Sequence, residues 1–495
     1  MTSERILGLL AIPVLFLILL YAAETRPGYF TNFTYLGGVL LLEVLVVTIW
    51  HYEKWFFAVL MMSFVWAGSN LPLWSAGNVV RWFFLGFGAL VGLVKWGKLD
   101  RRHHFSSIHL VALLCVLSAA VSSMVSTRPE MALLKSVSLF LLFLYGSCGA
   151  RIALAGRESA FFRGLLTACE VVSYLSGVLY LVFGFEIFGN RNSLGAIMGV
   201  VIIPILLWGV LITEDRNVRQ RRTIALCLAT YLLFFSVCRA GILAAAVAAT
   251  ILCIVLRRQQ LFVKGAFILV FLLTTVAVVQ PTYFGSLVSS FEEDVIYKGK
   301  PAELGVFGSR KSPWKQTEDV IRESPWFGSG FGTDMVESPT AWDTSFRTVE
   351  EANHEHGNSY LALVQYVGLA GVIPFAVLLS LVLGLIVRTC RRIRRSADPR
   401  NYALPLVLVC IAGLAHAVFE DWLFAVGYYL TVFFWTFVFL LYDLQPLPAE
   451  EPVIYVSGAD RSSLAARPVP LTANQLTAGQ LNVDPLNVNP LNVSQ

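Results

Sequence analysis

Charge is what this sequence has least of. Asp, Glu, Lys and Arg make up 14% of the 495 residues, hydrophobic residues make up 57%, and the mean hydropathy is +0.69. Such a balance excludes a soluble globular domain and places the chain among polytopic membrane proteins. The net charge of +5 is small, and the basic residues sit in short clusters between apolar runs rather than on one face, which excludes a nucleic-acid partner. Cysteine is missing from residues 281–356, the longest polar stretch between apolar runs, so no disulfide framework holds that stretch. The eight cysteines, Cys115, Cys148, Cys169, Cys227, Cys238, Cys253, Cys390 and Cys410, lie in or beside apolar runs and read as packing residues. A small-residue cleavage site is also missing after the first apolar run, Ile6 to Ala23, which therefore reads as a retained helix.

Apolar runs long enough to span a bilayer follow near residues 36–51, 55–70, 79–95, 107–124, 131–150, 162–184, 192–213, 222–237, 239–256, 262–280, 357–387, 403–419 and 424–442. With the first run they predict about fourteen helices. Gly68, Pro72 and Gly77 interrupt the third and fourth. If the N-terminus is cytoplasmic, the even-numbered connections carry Lys95 to Arg102, Arg151 to Arg163, Arg216 to Arg222, Arg257 to Lys264 and Arg388 to Arg395, all on one side. The odd-numbered connections, which include residues 188–195, 236–241 and 281–356, then face outward, as the positive-inside rule requires.

Residues 281–356 form the only sizeable polar segment inside the bundle, and loops of that length are functional or disordered. Trp314, Trp326 and Trp342 argue for order. Ser312-Pro313 predicts a helix start, with WKQTEDVIRES forming a short amphipathic helix that Pro325 stops. After Tyr442 the chain becomes rich in Pro, Asn and small residues and ends in LNVDP-LNVNP-LNVSQ, which predicts a disordered cytoplasmic tail. The organisation expected is residues 1–184 as N-terminal membrane helices, 185–442 as the catalytic membrane domain and 443–495 as the tail.

Four outward elements carry titratable or cationic groups: FGNRNSLG (188–195), SVCRAG (236–241), GSRKSPW (308–314) and HEHGNSY (354–360). Cations at a membrane lip are costly unless they face a polar cavity, and several converging there suit an anionic ligand. Arg239 can instead be an interfacial anchor that snorkels to lipid phosphates, Arg191 a helix-start residue and Arg310 a loop charge. His354 and His356 have three readings. An H-x-H metal pair lacks a cysteine or a third ligand nearby, ordinary loop histidines need no role, and a histidine beside arginines suits a general base near neutral pH. Lys135 and Glu170, in or near spans, mark an ion path or partner other buried polar groups.

Arg239, then Arg310 and Trp314, then Pro325 to Gly332, then His356, Asn358, Tyr360, Leu361, Gly368 and Gly371 stand in an order that resembles the O-antigen ligase and polymerase family of bacterial membrane glycosyltransferases. FGNRNSLG looks closest to its exopolysaccharide-polymerase members, and the resemblance covers residues 185–385. It implies an all-α, GT-C-like polytopic bundle of about 12–14 transmembrane helices with one large extracytoplasmic loop. It also implies a multi-pass protein of the bacterial inner membrane that works on the extracytoplasmic side without a metal or other cofactor. The donor would be a polyprenyl-diphosphate-linked glycan and the acceptor a glycan or glycolipid hydroxyl, with the lipid bilayer as the remaining partner. Arg239 and Arg310, helped by Arg191, would stabilise the departing diphosphate, and His356, or else His354, would take the acceptor proton. Asn190, Asn192, Asn358 and Trp314 would bind substrate.

Two departures bear on these expectations. Gly357 stands where family members often have a histidine, so both histidines stay open as the base. Family ligases commonly have about a dozen helices, so the third and fourth runs are one re-entrant unit or an additional pair. The resemblance favours polymerisation of repeat units. A ligase that moves finished glycan to lipid A-core or another acceptor is the enzymatic alternative. A transporter of lipid-linked oligosaccharide would call for inverted repeats and midplane charge pairs, and neither is visible.

Overall fold

The structure, a computed structural model, describes residues 51–70, 74–96, 106–184, 188, 190–280, 282, 285, 288–289, 292, 308–333 and 356–445. Among them every regular element is helical: α1 (Phe57–Ala67, entered through a π-turn at Tyr52–Phe56), α2 (Trp74–Trp96), α3 (Ser107–Ser123), α4 (Pro129–Leu154), α5 (Glu158–Phe183), α6 (Arg191–Ile212), α7 (Arg216–Phe235), α8 (Arg239–Val255), α9 (Gln259–Val279), α10 (Gly308–Glu323), α11 (Ser359–Ser396), α12 (Ala403–His416) and α13 (Tyr429–Asp443). This is an all-α polytopic membrane protein. Among the described residues five helices are long and apolar enough to cross a membrane, within α2, α4, α5, α6 and α11, and five shorter apolar helices stand among them.

Three helices that frame the bundle begin at a side-chain cap. Asp215 accepts from the backbone N–H groups of Asn217 and Val218 at the start of α7, and Asn190 and Asn358 do the same work for α6 and α11. The third and fourth apolar runs form two separate helices, α1 and α2, packed on each other and separated at Gly68. The first two runs, His354 and the tail lie outside the described residues.

The bundle has two chemically distinct ends. At one, Arg151 pairs with Asp443, Arg400 pairs with Glu214, and Arg392 donates to Gln445. Glu170, only 3% exposed, accepts from the exposed Arg221 at 2.5 Å and the buried Arg222 at 2.9 Å, so it serves as the partner of two cations. The other end gathers the starts of α6, α8 and α11, the helix α10 and the 417–428 connection between α12 and α13.

Lipid offers no hydrophobic drive for helix association, so small residues at the contacts set how closely backbones approach. Gly195 and Gly199 on α6 face Gly241 on α8. A Cβ on Gly241 would stand 2.6 Å from the Gly195 carbonyl oxygen, and one on Gly199 would overlap the Gly241 carbonyl. This backbone-to-backbone contact fixes where α8 begins, and therefore where Arg239 stands.

Candidate functional site

His356 is the last residue before the turn into α11. Its ring is buried, 0% exposed, and Nδ1 lies 3.0 Å from Asp421 Oδ2. Its backbone N–H donates to the same oxygen at 3.3 Å, and the Tyr366 ring crosses it edge-on with centroids 5.1 Å apart. With Nδ1–H given to the carboxylate, Nε2 carries the lone pair, the tautomer a general base needs. The low dielectric around the buried ring strengthens that bond.

Arg310 comes from α10. Gly308 opens that helix, ahead of the Ser312-Pro313 start read from the sequence, and Pro313 lies inside it. Arg310 stands in this first turn, 7% exposed and ion-paired through Nη2 to Glu420. Gly357, at φ +61°, lies under this side chain: a Cβ there would stand 2.8 Å from Arg310 Nη1 and 2.9 Å from Cδ. This gives a physical reason for glycine at the position where family members often carry histidine, because any side chain would displace the guanidinium. Arg239, half-buried at the start of α8, is within electrostatic reach of both Arg310 and Glu420.

The other sequence candidates support this geometry. Asn358 caps α11 through the N–H groups of Tyr360 and Leu361, at 2.9 and 3.1 Å, and Trp314 Nε1 donates to the Gly357 carbonyl at 3.2 Å. Both side chains hold the His356–Gly357–Asn358 turn. Asn190 caps α6 through the N–H of Asn192, and Arg191 is exposed at its first position. Their helix reaches the site through Ser193, whose carbonyl accepts from Tyr429 at 2.5 Å, while the Tyr429 and Tyr428 hydroxyls are 3.0 Å apart. Burial pushes the Tyr428 phenol up, with Glu420 adding to the effect, so it stays neutral and acts only as a hydrogen-bonding group.

Glu420 and Asp421 were missed by the sequence reading. The signal was an acidic pair in AVFEDWLF, a connection between two apolar runs on the same side as HEHGNSY. That connection is held rigidly. Ser359 Oγ donates to the Glu420 carbonyl at 2.6 Å and accepts from the N–H groups of Trp422 and Leu423, both at 3.0 Å. Trp422 Nε1 donates to His416 Nδ1 at 2.7 Å, and Arg81 Nη1 donates to the Gly427 carbonyl at 2.6 Å.

A break in α11 ties Arg310's helix to His356's. Gly368 is non-helical, with φ 69° and ψ 178°. In a continuous helix the N–H groups of Leu369 and Ala370 would bond the carbonyls of Gln365 and Tyr366. Here residues 325–330, which follow α10, take over both rungs. Ser329 and Gly330 donate to the Gln365 and Tyr366 carbonyls at 2.9 and 3.2 Å, and Leu369 and Ala370 donate to Pro325 and Trp326 at 2.8 and 3.2 Å. Ser122 of α3 adds bonds to Phe327 and Tyr366, and Lys135 donates to the Gly332 carbonyl, a tether rather than part of an ion path.

Residues 224–376 match the family model described as O-antigen ligase. That segment is similar to the O-antigen ligase/polymerase family, the family the sequence motifs resemble. The match supports a membrane glycosyltransferase of the ligase/polymerase type. The matched segment contains Arg239, Arg310, His356 and the break at Gly368, while Glu420 and Asp421 lie beyond it. No curated protein matches the chain.

Proposed function

We propose that the chain transfers a polyprenyl-diphosphate-linked glycan to an acceptor sugar hydroxyl on the extracytoplasmic face of the inner membrane, joining repeat units of a surface polysaccharide. The observation that carries this reading is the convergence of His356–Asp421, Arg310–Glu420 and Arg239 at the end of the bundle opposite the basic clusters. In the reaction the bond from the anomeric carbon to the diphosphate oxygen breaks, and its electron pair leaves on the diphosphate. The acceptor oxygen bonds the anomeric carbon and gives its proton to His356 Nε2. Arg310 and Arg239 meet the charge that develops on the leaving group, where preorganised donors in a dry site act most strongly. No step calls for a metal or other cofactor. The ring is buried, so acceptor binding has to open a path to Nε2.

Deleting the gene and examining surface glycan tests the reaction. Loss of long chains with single units still placed on acceptor supports polymerisation. Complete chains left on the prenyl carrier would make the protein a ligase instead, and unaltered glycan would defeat both.

Glu420 stands to Arg310 as a positioning partner, and the donor's diphosphate is already charged before transfer begins. Arg310→Ala and Arg239→Ala should therefore each weaken donor binding as well as turnover, by about tenfold in Kd. Equilibrium binding of lipid-linked donor measures this; undiminished binding in both variants would remove the arginines from the diphosphate.

Orientation follows from the positive-inside rule, which puts the basic end in the cytoplasm. Lys311→Cys, exposed on α10, should react with an impermeant maleimide in whole cells, whereas Arg395→Cys, exposed at the end of α11, should react only after lysis. Wild-type protein sets the background, and the reverse pattern would invert the assignment.

A further inference from the structure

The basic end carries an open surface cavity of about 420 Å³ whose lining includes Arg392, Arg400, Asn401, Tyr402, Leu444 and Gln445. It lies far from His356, at the opposite end of α11, and has no part in the transfer reaction. Its walls are preformed. Tyr402 stacks on Phe162 with ring planes 6° apart, and Asn401 Oδ1 accepts from the N–H of Ala403 at 2.9 Å. Gln445 Nε2 is fixed by Thr389 Oγ1 at 2.9 Å and the Leu441 carbonyl at 3.0 Å, which leaves its Oε1 to accept from Arg392 Nη1 at 3.2 Å.

Arg392 differs from its neighbours. Arg151, Arg221, Arg222 and Arg400 each pair with a carboxylate. Half-buried Arg392 has no carboxylate partner among the described residues; only the neutral amide of Gln445 meets it. A partly desolvated guanidinium without a counter-charge is unfavourable unless an anion arrives. Arg400 can contribute too, because its pair with Glu214 is exposed on both sides, 67% and 80%, and exposed pairs are weak and exchange readily.

We infer that this cavity binds a phosphate-bearing anion, with Arg392 as the principal contact and Arg400 as the second. The planar fork of Arg392 suits two phosphate oxygens, and Leu444 and the Tyr402 ring suit an apolar group attached to the phosphate. The anion has two possible sources, an anionic phospholipid headgroup at the membrane edge or a free phosphate ester in solution. Diffuse attraction from the Arg388–Arg395 cluster would not distinguish Arg392 from Arg395, whereas a built site does.

The test uses the full-length protein in nanodiscs of phosphatidylcholine, either doped with phosphatidylglycerol or titrated with inorganic phosphate and glycerol phosphate. Bound lipid is counted by mass spectrometry after mild delipidation, and soluble anions by equilibrium binding. Wild type should retain phosphatidylglycerol, or bind the soluble phosphates, and whichever arm responds identifies the source. Arg392→Gln should weaken that binding by about tenfold, Arg392→Lys, which keeps the charge but loses the fork, by about threefold, and the exposed Arg395→Gln by less than about twofold. Binding of neither probe above phosphatidylcholine alone, or equal losses in Arg392→Gln and Arg395→Gln, overturns the inference.

Discussion

His356→Ala should lower turnover by about 10²-fold or more while donor affinity stays within about twofold of wild type. A base that removes the acceptor proton contributes only as the new bond forms, so its loss belongs in kcat and not in donor binding. The arginine variants, which meet a charge already present in the donor, should lose both. Asp421→Asn leaves the ring in place but no longer selects the Nδ1–H tautomer, and it should also lower turnover by at least about tenfold. Purified protein with lipid-linked donor and a glycan acceptor gives both quantities. His354→Ala should remain active. If it is inactive while His356→Ala turns over normally, the base moves by two residues and the mechanism stands. If both single variants and the double variant keep wild-type rates, no histidine acts as base.

The membrane helices were legible in the sequence because each is a single apolar run whose length the bilayer sets: the run at 192–213 is α6, Arg191–Ile212, and the run at 239–256 is α8, Arg239–Val255. The ordering of charges was legible too, since Arg239, Arg310 and His356 do fall at one end of the bundle and the basic clusters at the other. The carboxylates were harder to find. Glu420 and Asp421 lie more than sixty residues beyond His356, and only folding brings them to the histidine and arginine they orient. Gly357 read as a departure from the family pattern because sequence alone does not show that Arg310 packs against it. Asn358 and Trp314 read as substrate ligands, and the sequence does not show that Asn358 Oδ1 and Trp314 Nε1 also hold the turn beneath the site, a use no motif distinguishes from binding.

The break in α11 was invisible for a related reason. Residues 357–387 read as one apolar run, and nothing in it distinguishes Gly368 from Gly371 or Gly384 as the non-helical residue. Gly368→Ala should nevertheless be among the most damaging single substitutions in the protein. At φ 69° and ψ 178° an L side chain is strained, and its Cβ would overlap the Trp326 carbonyl. The combined effect should be about 3 kcal/mol or more of stability. The alternative open to the variant is a continuous helix, in which Leu369 and Ala370 bond Gln365 and Tyr366 directly. That would expel residues 325–330 from four hydrogen bonds and release α10, so Arg310 would lose its register against His356. Thermal unfolding in lipid and glycan transfer should therefore fall together. Gly384 lies on the same helix with open space where its Cβ would go, and Gly384→Ala should be neutral or stabilising by about 0.5–1 kcal/mol. Should Gly368→Ala match Gly384→Ala in both stability and activity, the break would be dispensable, and the placement of Arg310 would have to rest on its ion pair with Glu420 alone.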